Sequence, residues 1–163
     1  MNLWERFLRI IYRAAASPFL KQYQKKSIES ILQKSTSLFD ADIQGEIKNH
    51  ILKSISKDSG FADRGGKTDI YYSMFGCFVA EALSMNEIFP QLKDYVKKTV
   101  NQDSLGGIHL FCGAILYSKL HGFDSTTEML RRKVEIEFVS KDGTNSEYNY
   151  FIGLLTLYYL QDY

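Results

Sequence analysis

Three segments of the chain are apolar almost all the way round and recur at a regular interval. They are residues 68–83, 105–120 and 145–160, which align without gaps. Each carries a glycine at the same place, namely Gly76, Gly113 and Gly153, at spacings of 37 and 40 residues. Because a helix that is apolar on every side is buried on every side, we predict that these segments are the inner helices of a repeated structure.

An amphipathic segment precedes each inner segment. Residues 41–56 place isoleucines four positions apart, and residues 91–100 set an apolar stripe against a lysine-rich face. Residues 126–140 alternate like a strand, but the repeat register favours a helix there too. The pattern predicts an all-α fold of helical hairpins with amphipathic helices outside and apolar helices inside. We expect the glycine that recurs in all three inner segments to let the inner helices approach one another closely.

The first 36 residues differ from the rest in charge. They carry seven Lys and Arg against two Glu, a balance of +5, whereas the remainder of the chain carries −4. One face of a predicted helix in this segment consists of Leu3, Trp4, Phe7, Leu8 and Ile11. We interpret residues 1–40 as a helical cap on three repeats that span residues 41–163, and peripheral membrane contact through residues 1–16 is the alternative.

Composition narrows the class of protein. With 163 residues and 45% hydrophobic residues, a single domain with a substantial core is expected. The net charge of +1 gives no general attraction to nucleic acid. Cys77 and Cys112 lie inside apolar helical patterns, which favours a reducing, cytoplasmic location. Neither a membrane span of 18 apolar residues nor a signal peptide is recognisable.

The turn before the first inner segment is longer than its counterparts. The additional residues read GFADRGGK and include Arg64 and Lys67. Because helix N-terminal amides and cationic side chains can converge on an anion, a basic glycine-rich loop that opens a helix predicts an anion site. The alternative is a solvated loop in which the glycines serve only the turn.

Residues 60–73, GFADRGGKTDIYYS, resemble the repeat motif of protein prenyltransferase β subunits, whose fold squalene and oxidosqualene cyclases share. The likeness is strong over residues 57–83 and weaker over residues 41–163, with one residue fewer between Lys67 and Asp69 than in the family. It implies a partial α/α toroid of three to four helical hairpins. The chain offers too few hairpins for a closed ring, so an open half-ring or a ring completed by a homodimer is expected.

The resemblance also implies roles for individual residues. Arg64, Lys67 and Tyr72 correspond to the contacts of an isoprenoid diphosphate, and Asp69 and His109 correspond to zinc ligands. Tyr71 stands where the family has its zinc-binding cysteine. Bound zinc is therefore not expected, and a substitute site built from Asp69, His109 and Cys112 is the alternative. For Asp69 itself we favour the capping of a helix over metal ligation.

Tyr72, His109 and Asn149 occupy one column of the three aligned segments. They form either a polar wall of a central cavity or three core groups that are hydrogen-bonded individually. The sequence thus predicts a non-catalytic or degenerate prenyltransferase-like module that binds an apolar chain, isoprenoid or lipid-like, with or without a diphosphate. A protein-interaction scaffold or subunit is the alternative, followed by a zinc-dependent prenyl transferase. Whether the protein catalyses a reaction is left open.

Overall fold

The computed structural model of the chain describes residues 27–102, 104–140 and 147–160. This part of the chain contains seven α-helices: α1 (Ile28–Thr36), α2 (Ala41–Lys53), α3 (Ile70–Ala82), α4 (Phe89–Val100), α5 (Gly107–His121), α6 (Ser125–Ser140) and α7 (Glu147–Tyr159). A single 3-10 turn, Asn86–Ile88, precedes α4. No described residue lies in a β-strand beyond two isolated bridges. The prediction of an all-α fold is confirmed.

The predicted inner and outer segments correspond to helices throughout. The three inner segments form α3, α5 and α7, and the three outer segments form α2, α4 and α6. The strand-like alternation in residues 126–140 does not prevent helix formation in α6. There Arg131 pairs with Glu128 at 2.9 Å and with Glu135 at 3.1 Å, the three- and four-residue spacings that a helix brings together.

The central helix of the array is α5. It packs against both neighbouring inner helices, α3 and α7, and against the outer helices α4 and α6. Residues 110–118 of α5 are all buried, which accounts for the absence of a polar face in this segment. On the other side of α3, the short helix α1 packs against it. The described core is therefore a row of three inner helices that α1 covers at one end.

The expectation that the repeated glycines allow inner helices to approach one another is wrong at Gly76. A Cβ at this position would lie 2.6 Å from Cγ of Phe61, so the missing side chain makes room for a ring from the preceding loop. At Gly113 the nearest atom to such a Cβ is Cγ1 of Val100, on the outer helix α4, at 3.2 Å. Ile70 Cγ1 on the inner helix α3 lies at 3.7 Å, so Gly76 makes room for a loop, whereas Gly113 lies against both an outer and an inner helix.

A polar cluster joins four helices at the far end of the inner row. Lys119 Nζ on α5 lies 2.9 Å from Glu29 Oε1 on α1 and 2.7 Å from Glu81 Oε2 on α3. The hydroxyl of Tyr159 on α7 donates to the same Glu29 oxygen at 2.8 Å. Burial alone would raise the pKa of Glu29, but its bond to Lys119 holds that pKa below the ordinary value. The cluster fixes α1 against the inner helices.

The predicted helix in residues 1–16, its contact with a membrane and most of the predicted cap lie outside the described residues. The described portion of that cap is α1, which starts at an N-cap serine, Ser27. Within residues 27–102, 104–140 and 147–160, no helix combines the length and apolar character that a membrane span requires.

Candidate functional site

The loop between α2 and α3, residues 54–69, is held in one shape by hydrogen bonds, and we call it the basic loop. Two isolated antiparallel bridges cross it, the second between Ala62 and Thr68. Phe61 is buried, and its amide donates to Ser73 Oγ on α3 at 2.9 Å. Because its backbone groups are paired and its central ring is buried, the loop forms a fixed wall beside the start of α3.

Asp63 shapes the tip of the basic loop. Its Oδ1 accepts hydrogen bonds from the amides of Gly65 at 2.8 Å and Lys67 at 2.9 Å. Gly66 has a φ of 81°, a left-handed conformation that glycine adopts without steric cost. This turn leaves the side chains of Arg64 and Lys67 exposed.

Asp69 connects the starts of two inner helices. Its Oδ1 accepts from the amides of Tyr71 at 2.8 Å and Tyr72 at 3.1 Å, so it is the N-cap of α3, as predicted. Its Oδ2 lies 3.1 Å from Nε2 of His109, in the first turn of α5. One carboxylate therefore satisfies helix amides with one oxygen and orients an exposed imidazole with the other.

A cavity of about 600 Å³ lies between the basic loop, the second half of α4 and the start of α5. Lys57 and Lys67 reach it from the loop, Lys98 from α4 and His109 from α5. The loop packs closely on α4 here, since a Cβ at Gly60 would lie 2.6 Å from the Tyr95 ring. Three ammonium groups and an imidazole from separate elements thus surround one space.

The aspartates that line this cavity accept hydrogen bonds from described residues, whereas its lysines form no ion pair with one. Asp63 and Asp69 accept from backbone amides, and Asp58 accepts from the Thr68 hydroxyl at 3.3 Å. None of the three lysines forms an ion pair with a described residue. Because the carboxylates already have donors, the ammonium groups are the side chains with capacity for a further partner.

Next to the cavity lies a group of rings, three exposed and one half-buried, that we call the aromatic surface. It consists of Tyr71, Tyr72, Phe75 and Tyr148. The Tyr71 ring lies 5.6 Å from that of Tyr72 and 5.0 Å from that of Phe75, both edge to face. Its hydroxyl is 2.7 Å from that of Tyr148, which joins α3 to α7. Partial burial raises the pKa of Tyr148, and the bond to Tyr71 raises it further, so the Tyr148 hydroxyl stays protonated at neutral pH.

The five residues predicted to bind a ligand do not all meet. Lys67 and His109 line the cavity, whereas Arg64 does not. Tyr72 belongs to the aromatic surface, and Asn149 is half-buried on α7 outside the cavity. Tyr72 and His109 are exposed, so they are not buried core groups. The shared column of the aligned segments therefore gives positions near the starts of the inner helices, and of its three residues only His109 lines this cavity.

Comparison of the chain with protein-family models, with curated proteins and with solved structures finds no match.

Two cavity residues, Lys57 and Lys98, are absent from the sequence-based prediction. Lys57 begins the polar turn after α2, and Lys98 lies on the solvent face predicted for α4. Each reads as an ordinary surface lysine in the sequence. The available signal was the additional length of the basic loop, because a longer loop has to lie against some neighbouring helix.

The described residues do not fit the zinc site of the prenyltransferase family. Among them, no group of three or more His, Cys, Asp or Glu side chains is arranged to hold a metal ion. Asp69 and His109 are paired, but Cys112 is buried, and burial raises the pKa of its thiol to about 12. The position of the family's cysteine holds Tyr71, which is bonded to Tyr148. The structure thus brings together the aspartate and the histidine of the family's site, but no cysteine thiol accompanies them.

Proposed function

We propose that this protein is a binding module for an amphiphilic anion, an isoprenoid or lipid-like chain that carries a phosphate or diphosphate head. In this proposal the head lies among Lys57, Lys67 and Lys98, and the chain lies on the aromatic surface. The observation that carries the proposal is the junction at Asp69, where a cavity lined by three lysines that form no ion pair with a described residue adjoins exposed rings across one helix start.

The lysines favour a phosphate-type head over an uncharged one. At about 4 Å in water, one unit charge attracts another by about 1 kcal/mol, so each lysine near the head attracts a multiply charged group, while Asp58, Asp63 and Asp69 on the same wall oppose part of this attraction. Asp69 orients the His109 ring at the same mouth, with Nε2 3.1 Å from Oδ2. The starts of α3 and α5 contribute the favourable ends of two helix dipoles.

The aromatic surface favours an apolar chain. Tyr72, Phe75 and Tyr148 are each about two-fifths exposed, whereas Phe78 and Phe111 on the inner helices α3 and α5 are buried. Burial of exposed apolar area contributes about 25 cal/mol per Å², so covering this surface with a chain stabilises a complex. We further infer that the helical pairs form part of an α/α toroid, with this surface on its inner side.

Titration calorimetry with geranyl diphosphate, geraniol and inorganic diphosphate tests the proposal. We expect geranyl diphosphate to bind most tightly, since it alone engages both the lysines and the rings. The double variant Lys67→Gln/Lys98→Gln should weaken its binding at least ten-fold, because two charge contacts of about 1 kcal/mol each are lost. Tyr72→Ala should weaken geranyl diphosphate binding and leave that of inorganic diphosphate unchanged.

A matched control is available on α4. Lys93 and Lys97 are exposed on the same helix but do not line the cavity, so Lys93→Gln/Lys97→Gln has the same charge change elsewhere. This control should bind as the parent protein does. If both double variants bind equally well, or if none of the three compounds binds, the proposal is wrong.

An interaction scaffold is the second candidate, and the exposed apolar residues of α7 favour it. Phe151 and Leu154 are 57% and 61% exposed. Co-purification of one partner protein in fixed stoichiometry, without a retained small molecule, would support this function over the first.

A further inference from the structure

One face of α7 carries a continuous row of exposed apolar side chains, which we call the α7 stripe. It consists of Phe151, Leu154 and Tyr158, with exposures of 57%, 61% and 45%. Spacings of three and four residues bring these side chains to one side of the helix. The opposite side, which includes Ile152 and Thr156, is buried. The α7 stripe therefore faces away from the core that α7 helps to form.

The position of α7 in the row explains why its outer face is open. Each inner helix of a stacked array buries its sides against neighbours, so the terminal helices need covers of their own. At one end, α1 packs on α3, where the Thr36 hydroxyl lies 3.3 Å from the Ala82 carbonyl, and Glu29 of α1 bonds to Lys119 on α5. At the other end, the α7 stripe is exposed.

The chain enters the described part beside this same helix. Glu29, at the start of α1, accepts a hydrogen bond from the Tyr159 hydroxyl at 2.8 Å. The Tyr159 ring lies 5.6 Å from that of Tyr158, the last member of the α7 stripe. Residues 1–26 therefore lead into α1 from a point close to the C-terminal end of the stripe.

We propose that residues 1–26 dock on the α7 stripe and cover the open end of the row. The segment has an apolar set of matching character, and its members are Leu3, Trp4, Phe7, Leu8 and Ile11. Its length is sufficient, because the 13 residues of α7 rise about 20 Å and 13 extended residues from position 26 back to position 14 span about 40 Å. Six basic residues against one acidic residue also oppose the negative balance of the rest of the chain.

The single tryptophan of the chain, Trp4, makes the proposal measurable in the full-length protein. We expect its emission to be shifted to shorter wavelength and its acrylamide quenching to be reduced relative to the denatured chain. Phe151→Gln/Leu154→Gln should return both readings toward the denatured values, because the docking surface becomes polar. Ile136→Gln on α6, where the parent side chain is 68% exposed, is the matched control and should leave Trp4 unchanged.

Far-UV circular dichroism shows whether each variant retains its helices. If the double variant loses them, the single variant Leu154→Gln at the most exposed member provides the test. Solvent-exposed emission of Trp4 in the parent protein would overturn the proposal. So would a buried Trp4 that ignores the stripe variants, or a shift that appears only at concentrations where light scattering detects a dimer. None of these results bears on the binding of an amphiphilic anion, which rests on other residues.

Discussion

Replacement of Lys119 by methionine should destabilise the protein substantially. The ammonium lies 2.9 Å from Glu29 Oε1 and 2.7 Å from Glu81 Oε2, with only 15% of its side chain exposed. Glu81 Oε2 is buried and accepts no well-aligned hydrogen bond from the described residues, so Lys119 offsets its charge. Methionine retains the aliphatic stem, which passes near the Phe78 ring, and removes the charge alone.

The magnitude follows from what the substitution leaves behind. Removal of one partner from a fully buried ion pair costs about 3 to 5 kcal/mol. Glu29 and Glu81 are 22% and 41% exposed, so water screens part of the uncompensated charge, and we expect about 2 to 3 kcal/mol. For a chain of this length, that loss lowers Tm by roughly 5 to 10 °C.

Urea denaturation followed by circular dichroism measures the change, and a triple variant tests the reasoning. In Lys119→Met/Glu29→Gln/Glu81→Gln no charge remains in the cluster, so most of the lost stability should return. Lys93→Met on the exposed face of α4 controls for the loss of a lysine and should change stability by less than about 0.5 kcal/mol. If the triple variant is less stable than the single variant, uncompensated carboxylate charge is not the cause.

Three further predictions concern the core and the same cluster. Gly76→Ala should destabilise the protein by about 1 to 2 kcal/mol in urea denaturation, because overpacking against Phe61 exceeds the helix-propensity gain of about 1 kcal/mol. Adding Phe61→Leu should recover part of the lost stability. An undiminished loss in the double variant would argue against the clash. Cys77 and Cys112 should resist a thiol reagent at pH 8 until the protein unfolds, since burial raises the pKa of both thiols to about 12, and rapid labelling of the native protein would contradict this. Because the pKa of Glu29 is lowered in the folded state, its contribution to stability is complete above the unfolded value near 4.5 and is lost as the pH falls through the folded pKa. Glu29→Gln should therefore reduce the loss of stability at acid pH. An unchanged acid dependence would mean that other groups cause it.

The helices were predictable from the sequence because their pattern is extreme. An inner helix such as α5 must be apolar on every side, and its repeat partners carry the same signature. Repeat register also decided α6, where periodicity alone suggested a strand. The capping role of Asp69 followed from its place just before an apolar segment. These features depend on residues close to one another in the chain.

The composition of the cavity was not predictable in the same way. Lys57 and Lys98 are far apart in the chain, and each occupies a position where a surface lysine is ordinary. Only the packing of the basic loop on α4, which needs Gly60 against Tyr95, brings the two lysines together. Of the column Tyr72, His109 and Asn149, only His109 lines this cavity. The other two residues could not be assigned to it or separated from it by their repeat position alone.

The length of the basic loop accounts for both the cavity and its chemistry. A minimal turn between α2 and α3 would end near the start of α3, and α4 would meet solvent directly. The additional residues instead return to the core through Phe61, whose ring requires Gly76, and they reach the start of α3 at Asp69. That path leaves a space between loop and α4 that no core side chain fills. Residues at its edge are free to be charged, because they contribute nothing to the buried row of inner helices. The loop thus contributes to the core through Phe61 and at the same time places Lys57 and Lys67 opposite Lys98 of α4, on the edge of a space that the core does not fill.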